Sequence, residues 1–125
     1  MTMWITTFLN DSKGGTTFGS EPVEFHAGEA DFLTATVLMS SAKPCKRYFF
    51  SELPPGYTSK GDFSSRRQLC VLLCGQLVVA SSSGDVQQFE AGDVIRLEDT
   101  EYETPARSVR VTSSCAARVL SVQID

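Results

Sequence analysis

The chain has 125 residues, of which 42% are hydrophobic, 10% aromatic and 21% charged. That is the composition of one globular domain, not of a disordered or collagen-like chain. Eleven Lys and Arg against 15 Asp and Glu leave a net charge of −4, which argues against a nucleic-acid binder. No apolar run approaches the roughly 20 residues of a membrane helix. The start MTMWITTFLN lacks the basic leader and apolar length of a secretory signal, so a cytosolic protein without membrane partners is expected.

No segment keeps a helical period. Short β-rich runs alternate with turn formers. In chain order the expected strands are Met3–Leu9, Phe32–Met39, Arg47–Glu52, Gln68–Cys74, Gln76–Ser81, Val86–Glu90, Val94–Glu98, Ser108–Thr112 and Ala117–Ile124. LVVASSSGDVQQFE reads as a hairpin in which Gly84 supplies a positive φ. Many short strands at this spacing predict an all-β sandwich or small barrel. Gln68–Cys74 is apolar on both faces, with Leu69, Val71 and Leu73 on one and Cys70, Leu72 and Cys74 on the other. Such a strand is covered on both sides, by a barrel interior on one and by a second layer or a partner subunit on the other.

Four cysteines are present: Cys45, Cys70, Cys74 and Cys115. Cys70 and Cys74 lie on one strand, about 13 Å apart, well beyond the roughly 4.4–6.8 Å that a disulfide spans. They read as buried apolar thiols. His26 is the only histidine and reads as a surface or loop residue.

From Gly56 to Gly75 the chain resembles the first cupin motif: Gly, five residues, His-x-His, three or four residues, Glu, six residues, Gly. Here Asp62, Ser64 and Gln68 stand at the three ligand positions at matching spacing. The second motif begins at Gly92-Asp93-Val94; strict counting places Glu103 at its His and Arg107 at its Asn, while a longer loop would put Pro105 at the His. LPPGY, RRQLCVLLCG and GDVIRLEDT further resemble a group of small single-domain cupins, over residues 45–125. The resemblance implies a double-stranded β-helix, or jelly-roll barrel, as one domain over 1–125, with residues 1–44 as irregular strands packed on it.

Cupin metal sites use imidazoles plus a carboxylate, which suit redox metals. Asp62, Ser64, Gln68 and Glu103 offer hard oxygen donors instead, so neither a metal nor another cofactor is expected. Strand alternation puts Ser64, Arg66, Gln68, Cys70 and Leu72 on one face, taken as the interior, with Asp62 joining them if the strand starts early. The acidic run Glu98-Asp99-Thr100-Glu101-Tyr102-Glu103 approaches the same mouth in the cupin layout and is expected to pair with Arg66 or Arg67. One of the pairs Tyr48 with Phe50, or Arg47 with Phe49, is expected to line the cavity.

These residues point to a metal-independent cupin with a small-molecule pocket, and to acid–base isomerisation, epimerisation, cyclisation or dehydration of a small oxygenated metabolite. Asp62 or Glu103 would be the base, Arg66 the holder of an oxyanion or carboxylate, and Gln68 a hydrogen-bond donor. Tyr48 or Tyr102 would be a general acid, and Phe50, Ser64, Cys70 and Arg107 would complete the lining. The alternative is a non-catalytic ligand-binding or accessory cupin; a third reading is an enzyme with an oxygen-liganded metal. The two-faced strand and the apolar tail Val119–Ile124 predict a homodimer.

Overall fold

The computed structural model describes residues 2–10, 15–29, 36–62, 66–98 and 107–125, with 29 and 60–62 as backbone only. Twelve strands follow one another: β1 (Thr2–Asn10), β2 (Thr16–Glu24), β3 (His26–Glu29), β4 (Thr36–Met39), β5 (Arg47–Leu53), β6 (Thr58–Asp62), β7 (Gln68–Cys74), β8 (Gln76–Ser81), β9 (Val86–Glu90), β10 (Val94–Leu97), β11 (Arg107–Val111) and β12 (Ala117–Gln123). No helix occurs among the described residues, and none is long and apolar enough to cross a membrane.

The strands form a six-stranded sheet in the order β2-β1-β10-β7-β12-β5 and a four-stranded sheet in the order β6-β11-β8-β9, with β3-β4 as a separate hairpin. Neighbours in the large sheet come from distant parts of the chain, which is the jelly-roll arrangement that the resemblance implies. Phe8, Leu72, Leu77, Val79, Phe89, Ile95, Val111 and Ala117 form the core between the two sheets. They alternate with polar or outward residues, so each strand presents one apolar face inward.

Eight of the expected strands recur within one residue at each end. Phe32–Met39 is described only over β4, since its start lies outside the described residues. The expected hairpin is β8–β9, with Gly84 at a φ of 95° and its amide donating to the Ser81 carbonyl at 3.1 Å.

Three strands differ from expectation. β2, β3 and β6 carry Pro22, Gly19, Gly28 and Gly61, which weaken a strand signal. Their pairing overrides it. β2 zips antiparallel along all of β1, and β1 runs parallel to β10 with Thr6 beside Ile95. β1 and β2 are therefore part of the large sheet rather than an irregular layer on it, whereas β3-β4 is a separate hairpin. Gly19 fits because a side chain there would strike the Thr7 hydroxyl at 2.6 Å, and Pro22 is tolerated because β2 is an edge strand.

Candidate functional site

The strands meet around a cavity of about 170 Å³. β7 contributes Cys70 and Leu72, β10 contributes Ile95 and Leu97, and β5 contributes Ser51 and Leu53. Phe8, Val119, Val109 and Arg107 close it. The volume is below the few hundred Å³ of most metabolite sites. Its polar groups are few. Cys70 Sγ lies 3.6 Å from Ser121 Oγ across the β7–β12 register. Arg107 is 9% exposed, and its guanidinium sits 5.6 Å from the centroid of the Phe8 ring, a cation–π contact. In the sheet Arg107 stands between Asp62 of β6 and Ser81 of β8.

Of the residues expected at this site, Cys70 and Arg107 line the cavity. Gln68 lies on the Cys70 face of β7, at the strand end opposite Leu97. Ser64, Tyr102 and Glu103 lie outside the described residues, and Asp62 is described by its backbone alone. Two placements need correction. Arg66 precedes β7, is exposed, and donates from Nη1 to the main-chain oxygen of Asp125 at 3.1 Å. It therefore does not point into the barrel.

Tyr48 and Phe50 are 68% and 66% exposed, and Phe49 is 43% exposed. Neither β5 pair lines the cavity. Alternation fixes which residues share a face but not which face turns inward, and here Ser51 and Leu53 do. Of the acidic run only Glu98 is described. Arg67 pairs with Asp125 (Nε to Oδ2, 2.9 Å), and Glu98 pairs with Arg96 at 2.7 Å.

The exposed aromatics belong to a second feature, the outer face of the large sheet. Along one row Phe50 neighbours Leu120, Leu120 neighbours Val71, and Val71 neighbours Val94. Along the next, Tyr48, Val122, Leu69, Arg96 and Thr7 follow in register. Tyr48 and Phe50 pack edge to face with centroids 6.3 Å apart. The face is mainly apolar across β5, β12 and β7, with the Glu52–Arg118 ion pair at one end of β5, and charged toward β10. There Arg96 bonds Glu98 at 2.7 Å and Glu21 at 3.1 Å. Burial works against the charge of Arg96, but these two carboxylates outweigh it and raise its pKa above the usual arginine value. A groove of about 630 Å³ runs over this face, bordered by Met3, Leu69, Val71, His26, Ser40 and Lys43. His26 is exposed there, on β3.

The described residues do not fit a resident metal in the barrel. Imidazole donors are absent from it, because the single histidine lies on the outside. No cluster of three or more His, Cys, Asp or Glu exists among the described residues.

An all-β jelly roll with a small apolar interior defines the class, and solved structures give it a more particular relation. The chain superposes on the Schizosaccharomyces pombe Cnp3 cupin domain with a TM-score of 0.51 at 11% identity, covering 99% of this chain and 84% of that one. A Cupin 2 conserved barrel domain protein from Salinispora arenicola matches with a TM-score of 0.50 at 15% identity, covering 82% and 76%. A protein of unknown function from Rhizobium leguminosarum matches with a TM-score of 0.50 at 14% identity, covering 62% and 69%. The chain has the cupin fold. No protein-family profile and no curated protein matches its sequence.

Proposed function

We propose that this chain is a non-catalytic, accessory cupin that self-associates, with the outer face of its large sheet at the β5 end as the contact surface. One observation carries the reading. Tyr48 and Phe50, two large aromatics on one strand, stand 68% and 66% exposed and adjoin half-buried Leu120, Val71, Val122 and Leu69. Large exposed aromatics set on an apolar sheet face support an interaction site, and aromatic residues dominate interface energetics. The expected homodimer belongs to this reading. A reducing, cytosolic setting suits it as well, because Cys45 and Cys115 are exposed thiols.

The acid–base reading has less support. It needs Arg66 beside the carboxylates of Asp62 and Glu103, and Arg66 is held outside by Asp125. A second reading rests on Arg107: its guanidinium beside a small cavity suits capture of a small carboxylate, as a bound ligand rather than a reacting one. Two variants separate these readings. Replacing Tyr48 and Phe50 together by Thr is expected to abolish self-association, read by light scattering, while Arg107→Gln preserves it. Stabilisation of the protein by a small carboxylate that Arg107→Gln removes, with association unaffected by the surface pair, would replace the assembly reading with the ligand-binding one.

A further inference from the structure

We infer that β5 is the seam between two copies of this chain, paired edge to edge and antiparallel about a two-fold axis through Phe49. The inference rests on the assembly reading above and gives it a strand, a register and a symmetry.

Among the described residues β5 pairs only with β12, so its other edge presents alternate amide and carbonyl groups outward. The other edge strands of the two larger sheets carry features that blunt pairing. β2 holds Gly19 and Pro22, β6 contains Gly61 between Lys60 and Asp62, and β9 is glutamine- and glutamate-rich. β5 reads RYFFSEL, seven residues with neither proline nor glycine and with three consecutive aromatics. Such an edge templates another strand.

The chemistry of β5 selects a copy of itself as that strand. A two-fold axis normal to the sheet keeps both outer faces on the same side, so each residue must oppose one of its own parity. With Phe49 opposite the partner's Phe49, Tyr48 stands opposite the partner's Phe50 and Phe50 opposite the partner's Tyr48. Four rings then share the outer face. Lys46 in the same register stands opposite the partner's Glu52, a pair of opposite charges at each end of the seam. Glu52 already accepts from Arg118 at 2.9 Å, so each end becomes a cluster of one acid and two bases. Neighbouring registers lose this match. Centring on Phe50 sets Tyr48 against the partner's Glu52, and centring on Tyr48 sets Lys46 against the partner's Phe50. Directly opposed aromatic and opposite-charge pairs are what stabilise an antiparallel ladder.

The register is tested by cysteine crosslinking in the full chain, with Cys45 and Cys115 replaced by Ser. Residues opposed across an antiparallel ladder have Cα atoms about 4.5–5.5 Å apart, inside disulfide range. Phe49→Cys is therefore expected to give a covalent dimer on mild oxidation. Phe50→Cys, offset from its own copy by two residues and so more than about 7 Å away, is not. Lys46→Glu, which leaves the strand's packing intact, is expected to raise the dimer dissociation constant about tenfold. A dimeric mass with crosslinking at Phe50→Cys, or at neither position, overturns the seam and leaves the assembly reading standing. An unchanged dissociation constant in Lys46→Glu overturns it also. A monomeric mass overturns both.

Discussion

Gly75 and Gly84 have similar backbone conformations, with φ of 85° and 95°, but very different surroundings. A side chain at Gly75 would meet the Ala117 Cα at 2.8 Å and the Ala116 carbonyl at 2.9 Å, both backbone, whereas nothing lies within 4 Å at Gly84. Gly84→Ala is expected to cost about 1–2 kcal/mol from conformation alone. Gly75→Ala adds a backbone clash and should cost clearly more, about 3 kcal/mol or above; denaturant melts of the two variants check the order. Leu72, 2% exposed in the core, should lose about 2–5 kcal/mol on truncation to Ala. The Arg67–Asp125 link gives a pH signature. Hydrogen bonds from Arg67 hold the Asp125 carboxyl below its usual range, so its contribution is present above the ordinary Asp pKa of about 3.9 and fades as pH falls through the depressed value. Asp125→Asn should match the parent in the acid, where the link is already lost, and be slightly less stable at neutral pH. The difference is small, because both side chains are about half exposed.

At the scale of elements, β7, β8 and β9 have the bounds that the sequence predicts, because each pairs strong β-formers with turn formers at both ends. β2 and β6 escaped notice because their signal lies in the partner strand rather than in their own residues. Alternation from Gln68 predicts Cys70 on the inner face, and Cys70 lines the cavity. Alternation does not place Tyr48 and Phe50, because β5 alternates Tyr48, Phe50 and Glu52 with Phe49, Ser51 and Leu53, and both faces carry aromatics. Parity alone cannot choose between such faces; pairing with β12 does, by setting Ser51 beside Val119 over the cavity. Arg66 was misplaced because the inward alternation of β7 was extended past its start at Gln68. One consequence for β5 is testable on the fold itself. Thr at Tyr48 and Phe50 keeps a good strand former at exposed positions, so the stability of the isolated chain should change by no more than about 0.5 kcal/mol per site.

For the whole molecule, the two sheets divide the available chemistry unevenly. The space between them is small and apolar, with Arg107 and the Cys70–Ser121 contact as its polar points. The outside of the large sheet carries the exposed aromatics and aliphatic rows. In the reading proposed above, such a barrel is a rigid support for its outer surface. The most direct test is the mass of the unmodified protein by sedimentation equilibrium over a wide concentration range. A reversible monomer–dimer equilibrium is predicted, shifted to monomer when Tyr48 and Phe50 are both Thr. A mass that stays monomeric at the highest concentration, or a dimer indifferent to those two residues, would contradict the account.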